Sequence, residues 1–469
     1  MTAASRTALP PRPRRPGAAP LLAGALAVLL AVAPPAPAST SASAAPAGAP
    51  TGVSAGVSAG VSAAPERPGG ERVGYFPSWG PGDGFHVRDI DRAAARLTVV
   101  DYAFGQVSDK GVCVESDDNP RKDAWRDYRR PVPASESVDG AADRPGQRLK
   151  GNFNQLRKLK ERHPHLRVVI SLKSAHFSDA ALTAKSRAEL VSSCVGLFIG
   201  GDLPETQDRG GPVGGPGAAA GVFDGIDLDW EYPAHPGSGG HRHRPADTRN
   251  FTLLMAEFRR RLDGAERRAG RELLLTAAVP PDWPKRSRIE AGELARHADF
   301  LNVMAYDFAG PWSPKGPTDH HANLRLGRTR NVISGRLSAE QAARAYVAQG
   351  VPARKVVLGV PFYGYGWKDV PPHGHGLHQP AGAALDSRPY RFVARQPGRV
   401  FRDRTAGAVW KYDAGSRTFW TFDDASTVRA KAAFVREHGL GGVMVWSLDG
   451  DDARGTLLSA LDAGLRKGS

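Results

Sequence analysis

Two cysteines in 469 residues are too few for a disulfide-stapled scaffold or for any site built from four thiolates. Long apolar runs are also missing. The one sustained stretch, Leu21 to Ala33, has 13 residues, short of the roughly 20 needed to cross a bilayer. Acid is in the minority: Asp plus Glu number 48 against 63 Lys plus Arg, a net charge of +15. So basic a chain raises the question of a phosphate-bearing partner. The arginines, however, are dispersed among Asp and Glu, and no run of lysines and aromatics stands out. A solvated basic surface is expected, with neither a nucleic acid nor a membrane as partner.

The apolar stretch follows Arg12, Arg14 and Arg15 and precedes Ala36-Pro37-Ala38, a small-x-small cleavage pattern. A basic start, a short apolar core and such a site predict a secretory signal peptide over 1–38, and hence an exported, extracellular protein. Residues 39–70 are almost all Ala, Ser, Gly, Pro and Val, with GVSAGVSAGVSA at 52–63. With no large side chain to build a core, they read as a low-complexity linker.

From residue 71 the composition changes, and eight short apolar segments recur. They are VGYFPS (73–78), LTVVDYAF (97–104), VVISL (168–172), FDGIDLDW (223–230), LLLTAAV (273–279), FLNVMAY (300–306), VVLGVP (356–361) and GVMVWS (442–447). Helical patterns separate several of them, at 153–162, 248–269, 338–349 and 426–438. Continuous apolar strands alternating with helices predict a parallel sheet covered by helices. Eight such units over 71–466 fit a (β/α)8 TIM barrel. A doubly wound sheet is the alternative, but no GxGxxG follows the first strand. Two connections are too long to be simple loops, 108–150 and 364–420. The second holds short β-like pieces (TAGAVWKYD, RTFWTF) and predicts a small inserted α+β subdomain on the barrel's C-terminal face.

The fourth segment carries the chemistry. DGIDLDWEYP occupies 224–233, so Asp227, Asp229 and Glu231 are two apart and share one face of a strand. Three carboxylates crowded on a barrel-facing edge cannot all ionise freely. Glu231, outermost, is placed at the C-terminal mouth, where a general acid is useful. Asp224 has the wrong parity for that face. A metal site or a chance acidic strand is the bland reading; a stiff apolar strand ending in Trp-Glu-Tyr is a poor cage for Ca²⁺, so no metal is expected.

The segment resembles the signature of glycoside hydrolase family 18, the chitinases and their relatives. VGYFPSW, NVMAYDF (302–308), GVPFYGYGW (359–367) and GGVMVWSLDGDD (441–452) extend the resemblance over roughly 71–466. It implies a secreted chitinase that hydrolyses β-1,4-linked N-acetylglucosamine with retention and no cofactor. Glu231 would be the acid/base, and the substrate's own acetamido carbonyl the nucleophile. Asp229 would orient the acetamido group, Asp227 would share a proton with Asp229, and Tyr306 would donate to the acetamido oxygen. Asp307, Met304 and Tyr363 would contact the sugar, Trp446 would stack beneath it, and Tyr75 and Ser171 would hold the inner Asp. The implied partner is chitin or its oligomers, cleaved internally rather than from chain ends, by a monomer. For Tyr75, Tyr306 and Trp446 the competing reading is barrel packing.

Two positions depart from the family pattern. After strand three, where the family has Ser-x-Gly-Gly and then Trp, this chain has Ser171-Leu172-Lys173-Ser174-Ala175-His176-Phe177. Strand seven has PFYGY where PFYGR is usual, putting Tyr365 in place of an Arg. Both touch grip on the polymer rather than the acid, and Trp283, Trp312 and Trp367 stand as other candidate platforms. Three histidine groups (His235, His241, His243; His373, His375, His378; His320, His321) read as solvated loop residues rather than a metal site. Cys113 and Cys194 are left open between a pair and two thiols. Two other readings stand beside the chitinase: a non-catalytic chitin-binding lectin of the same fold, against which Glu231 argues, and an endo-β-N-acetylglucosaminidase acting on N-glycans, against which the inserted subdomain argues.

Overall fold

The computed structural model describes residues 70–115, 124–237, 241–329 and 332–466. The leader expected over 1–38 and the linker expected over 39–70, Gly70 aside, lie outside the described residues.

Eight parallel strands follow one another around a closed sheet: β1 (Glu71–Pro77), β2 (Val99–Val107), β3 (Arg167–Lys173), β4 (Gly225–Asp229), β5 (Leu274–Val279), β6 (Phe300–Val303), β7 (Val356–Pro361) and β8 (Gly442–Trp446). Each pairs with the next, and β8 returns to β1 in the register Glu71↔Gly442, Val73↔Met444. The fold is a (β/α)8 barrel. Its strands read as unbroken apolar runs because both faces are covered. Ile226 and Leu228 of β4 point outward into the layer beneath the helices, which include Gly151–Arg162, Asp247–Ala269, Ala339–Ala348 and Ala425–Glu437. Val73, Val99, Val169, Phe300, Val357 and Met444 point inward and fill the barrel.

The helices start and stop where their sequences dictate. Asp424 caps Ala425–Glu437, accepting from the Ser426 and Thr427 amides. Asp247–Ala269 ends in two arginines and at Gly270, whose φ of 65° closes it in the left-handed conformation. On the inner side of Ala425–Glu437, Lys431 is fully buried and ion-paired with Asp423.

Between β7 and β8 the chain forms a five-stranded antiparallel sheet, Tyr363–Lys368, Ala383–Pro389, Arg399–Asp403, Ala408–Asp413 and Thr418–Phe422, with the short helix Tyr390–Val393. Trp367 and Phe419 are wholly buried in its own core, so Trp367 is not available as a sugar platform. In the connection after β2, the piece Cys113–Val114 pairs antiparallel to the end of that strand. Cys113 is bonded to Cys194 at the end of helix Ala184–Cys194, with 4.9 Å between the Cα atoms. A hairpin of Leu203–Asp208 and Gly211–Gly215 precedes β4; its glycines and exposed polar residues offer no apolar alternation from which a strand is read. Among the described residues no helix is long and apolar enough to cross a membrane.

Candidate active site

The inward positions of the barrel become polar toward its C-terminal end. Asp227 is fully buried and fully engaged. Its Oδ2 accepts from the Tyr75 hydroxyl at 2.9 Å and the Ser171 hydroxyl at 2.8 Å; its Oδ1 accepts from Thr276 Oγ1 at 2.6 Å and Asn302 Nδ2 at 3.5 Å. Burial raises its carboxyl above the usual range, and these four donors pull back against it. Asp101 of β2 lies close by, 1% exposed, with Oδ1 unpartnered among the described residues, and burial next to Asp227 holds its carboxyl well up.

Asp229, two residues further along β4, is 5% exposed and has a single donor, Lys173 Nζ at 3.0 Å to Oδ2. Its Oδ1 is buried without a partner among the described residues. Burial first, then the charges of Glu231 and Asp227, push Asp229 far above the ordinary carboxylate range, with Lys173 opposing. Glu231 stands past the strand end, its side chain 27% exposed, with Oε1 accepting from Lys173 Nζ. The three carboxylates thus rise from a sealed interior to an open mouth on one face of one strand.

Asp229 and Glu231 form one wall of a cleft of about 290 Å³, which Tyr75, Met304, Tyr306, Asp307, Tyr363, Met444 and Trp446 also line. Tyr306 is 8% exposed, and the partner of its hydroxyl is the Met444 sulfur at 3.9 Å, a weak acceptor. Burial holds that hydroxyl well above its ordinary pKa, so it remains a donor. Gly359 of β7 makes room for the ring: a Cβ there would lie 2.8 Å from Tyr306 Cε1 and 2.5 Å from the Val303 carbonyl oxygen. Asp307 has a φ of 60°, and its carboxylate accepts from the Tyr363 hydroxyl. Trp446 stacks on Phe104 at 5.7 Å and leans on Tyr75 at 5.4 Å. On the opposite side Asp282 and Lys285 pair at 2.7 Å, with the ammonium 4.9 Å over the Tyr232 ring.

Of the residues singled out from sequence, Asp229, Glu231, Tyr75, Met304, Tyr306, Asp307, Tyr363 and Trp446 meet in this cleft, while Asp227 and Ser171 lie directly beneath it. Asp224 faces elsewhere: it binds Lys160 at 2.7 Å, Arg271 and the Val168 amide at 2.9 Å. Trp283 and Trp312 are 64% and 55% exposed.

A model of the glycosyl hydrolases family 18 matches residues 71–451, a span that holds every strand of the barrel. The chain belongs to glycosyl hydrolase family 18. It is 32% identical over 438 residues to chitinase A1 of Niallia circulans, covering 84% of this chain and 58% of that protein. With chitinase 63 of Streptomyces plicatus it shares 32% identity over 412 residues, 85% of this chain and 61% of the relative. The chain therefore spans about three fifths of the length of these relatives. The catalytic domain of psychrophilic chitinase B from Arthrobacter TAD20 superposes with a TM-score of 0.78 at 33% identity, over 85% of this chain and 95% of that one.

Against the family 18 pattern, the two departures are now located. Lys173, where a glycine is usual, reaches Asp229 and Glu231. Tyr365 is 8% exposed and packed edge-on against Trp312, His321 and Tyr363, and burial together with the charge of Asp307 raises its hydroxyl pKa. His320 and His321 are not the solvated loop residues their sequence suggests. They are 1% and 0% exposed because the loop after β6 is covered by the inserted sheet, where Thr421 Oγ1 accepts from the His321 amide; among the described residues neither ring has a hydrogen bond, and Asp403 and Asp307 stand 3.8 and 3.9 Å from them. Sequence reasoning also passed over Asp101, Thr276 and Asn302. Each is a polar residue at an inward-parity position of an apolar strand, and that parity is the signal that reveals them.

Proposed function

We propose that this chain is a secreted chitinase: a retaining glycoside hydrolase that cleaves β-1,4-linked N-acetylglucosamine polymers internally, with Glu231 as acid/base and the substrate's acetamido group as nucleophile. One observation carries the reading. On the face of β4 that opens into the cleft, Glu231 is reachable from solvent, while its neighbour Asp229 keeps one buried oxygen without a donor. An unpartnered buried oxygen is costly, and an amide N–H from a bound sugar would satisfy it.

The chemistry follows from that placement. Glu231 gives its proton to the glycosidic oxygen as the bond to the anomeric carbon breaks. The acetamido carbonyl, held close by the Tyr306 hydroxyl, attacks that carbon and forms an oxazolinium-type ring. Positive charge grows on the acetamido nitrogen, and the Asp229 carboxylate lies where that charge develops. Burial and the neighbouring acids raise the proton affinity of Asp229 while Lys173 opposes them, and Asp227, fixed by four donors, shares the burden of charge beneath it. Glu231 then takes a proton from water, which opens the ring from the first face, so configuration is retained. A protein nucleophile is disfavoured because the cleft's other carboxylates are already held, Asp282 by Lys285 and Asp307 by Tyr363.

The family, the chitinases among its relatives and the intact acid argue for this enzyme over a binding protein of the same fold. Product analysis tests it. Incubation with chitin oligosaccharides should yield shorter oligomers, released first as the β-anomer in proton NMR. A high-mannose glycopeptide should be left intact. Cleavage of the glycopeptide alone assigns the cleft to N-glycans, binding without cleavage makes it a lectin, and initial α-anomer overturns the substrate-assisted route.

A further inference from the structure

Lys173 is an element of this cleft that the family pattern does not foresee, and it touches the acid itself. It ends β3 on the same inward parity as Val169 and Ser171, with its side chain 41% exposed to the cleft. Its ammonium donates both to Asp229 Oδ2 and to Glu231 Oε1, and it lies 5.1 Å from the centroid of the Phe104 ring. That ring stacks in turn on Trp446. The cation is therefore held on three sides rather than free to swing. Burial pulls its proton affinity down, yet Asp229 and Glu231 outweigh burial and hold it above the ordinary lysine value, so it stays charged across any working pH.

We propose that Lys173 is a positioning residue, a fixed cation that ties Glu231 to Asp229 and lowers the pH at which the pair gives up the proton that hydrolysis uses. The inference rests on the reading of Glu231 as acid/base. Its reason is electrostatic. Two carboxylates side by side repel, and without a counter-charge one of them keeps a proton to higher pH. An ammonium bridging both relieves that repulsion and favours the doubly charged pair. The other titratable groups around the pair are Asp227, Asp101 and Tyr75 below it, Tyr232 beside it, Asp282 and Lys285 after β5, Tyr306 and Asp307 after β6, and Tyr363 after β7. Lys285 is paired with Asp282, which leaves Lys173 as the cation set against both carboxylates. The same bridge fixes the direction of the Glu231 side chain, which otherwise stands past the strand end with solvent on one side.

The test compares pH profiles. Lys173→Met removes the charge and keeps an apolar stem, Lys173→Gln keeps a donor without the charge, and Lys173→Arg keeps the charge. With a chitin oligosaccharide as substrate, the alkaline limb of kcat/KM should move up by roughly one to three pH units in the Met and Gln variants. It should return toward the wild-type position in the Arg variant. An alkaline limb that stays in place in an active Met or Gln variant overturns the proposal. If the wild type hydrolyses nothing, the chitinase reading fails by itself. The lysine is then judged by carbon-13 NMR titration of the side-chain carboxyl groups, with the Glu231 signal identified by its loss in Glu231→Gln. A Glu231 titration that moves to higher pH in Lys173→Met upholds the clamp, and one that does not move overturns it.

Discussion

At the N-terminal end of β4, Asp224 is closed off by Lys160, Arg271 and the Val168 amide, so that none of its hydrogen-bonding capacity is left for a ligand. At the C-terminal end of the same strand, Asp229 has one lysine for two oxygens, and Glu231 stands partly in solvent against that same lysine. Asp227, between them, is as buried as a carboxylate can be and is satisfied by neutral donors alone. Four acids of one type of chemistry, spread over eight residues, thus have different duties. The difference teaches that spacing delivers the groups to a face, and environment assigns their work: full neutralisation makes a structural anchor, and incomplete neutralisation leaves something for a substrate to complete.

The largest effect that can break this contrast is at the open end. Glu231→Gln removes the proton and keeps the shape, so kcat on chitin oligosaccharides should fall by about 10²–10⁴-fold, the usual worth of a positioned general acid. Calorimetry should show oligosaccharide binding largely kept. A variant retaining more than about a tenth of wild-type kcat would remove Glu231 from the role of acid.

The closed end should respond in the opposite currency. Asp224→Ala strands a lysine, an arginine and a backbone amide that the carboxylate had paired. Losing hydrogen bonds to a charged, nearly buried group should cost about 2–3 kcal/mol of stability in denaturant unfolding. kcat measured below the unfolding transition should stay at the wild-type value, because Asp224 lies at the far end of the strand from the cleft. A fall in kcat without a fall in stability would erase the distinction between the two ends.

How much of this was legible beforehand depended on whether a feature is local. Barrel strands announce themselves because each is a short apolar run between turn residues, and the parity of Asp227, Asp229 and Glu231 follows from the pleat alone. The inward polar residues Thr276 and Asn302 obey the same parity, and were overlooked because a single polar residue in an apolar run reads as tolerated rather than placed. Lys173 was visible as a departure from family pattern, but a lysine at a strand end is ordinarily solvated; only the approach of β3 to β4 shows that it meets two carboxylates. His320 and His321 were misjudged for the same reason, since their burial is supplied by a sheet that begins some forty residues later in the chain. Cys113 and Cys194, 81 residues apart, gave no separation until the fold brought their Cα atoms within 4.9 Å.

The wall facing the acids offers a weaker, sharper probe of the open end. Trp446 lies in the cleft, stacked on Phe104 and leaning on Tyr75. If it is a floor for a sugar ring, Trp446→Ala should weaken oligosaccharide binding by roughly 1–3 kcal/mol, the scale of losing one large apolar contact surface. Titration on a Glu231→Gln background isolates binding from turnover. Unchanged affinity in a folded variant would make Trp446 a packing residue of the barrel.

The smallest expected effect concerns the pH dependence of stability, and it separates Asp229 from Asp224 directly. Burial and its acidic neighbours push the Asp229 carboxyl up to about 8. In the unfolded chain an aspartate titrates near 4, as a free side chain does. An acid whose folded value is raised binds its proton more tightly in the native state, so its contribution to stability is fully present below about pH 4 and is lost as pH rises through about 8. Asp229→Asn cannot titrate, and its side chain is close in shape. The stability difference between wild type and Asp229→Asn should therefore shift against the wild type as pH is raised from 5 to 8, read from denaturant midpoints of both proteins. Taking the difference cancels the titrating groups remote from Asp229, the histidines of the outer loops among them. The same difference measured for Asp224→Asn supplies the comparison from the closed end, where the carboxylate is paired with Lys160 and Arg271. A flat difference for Asp229→Asn would mean that Lys173 alone keeps Asp229 charged, and that the open end of the strand is as fully neutralised as the closed one.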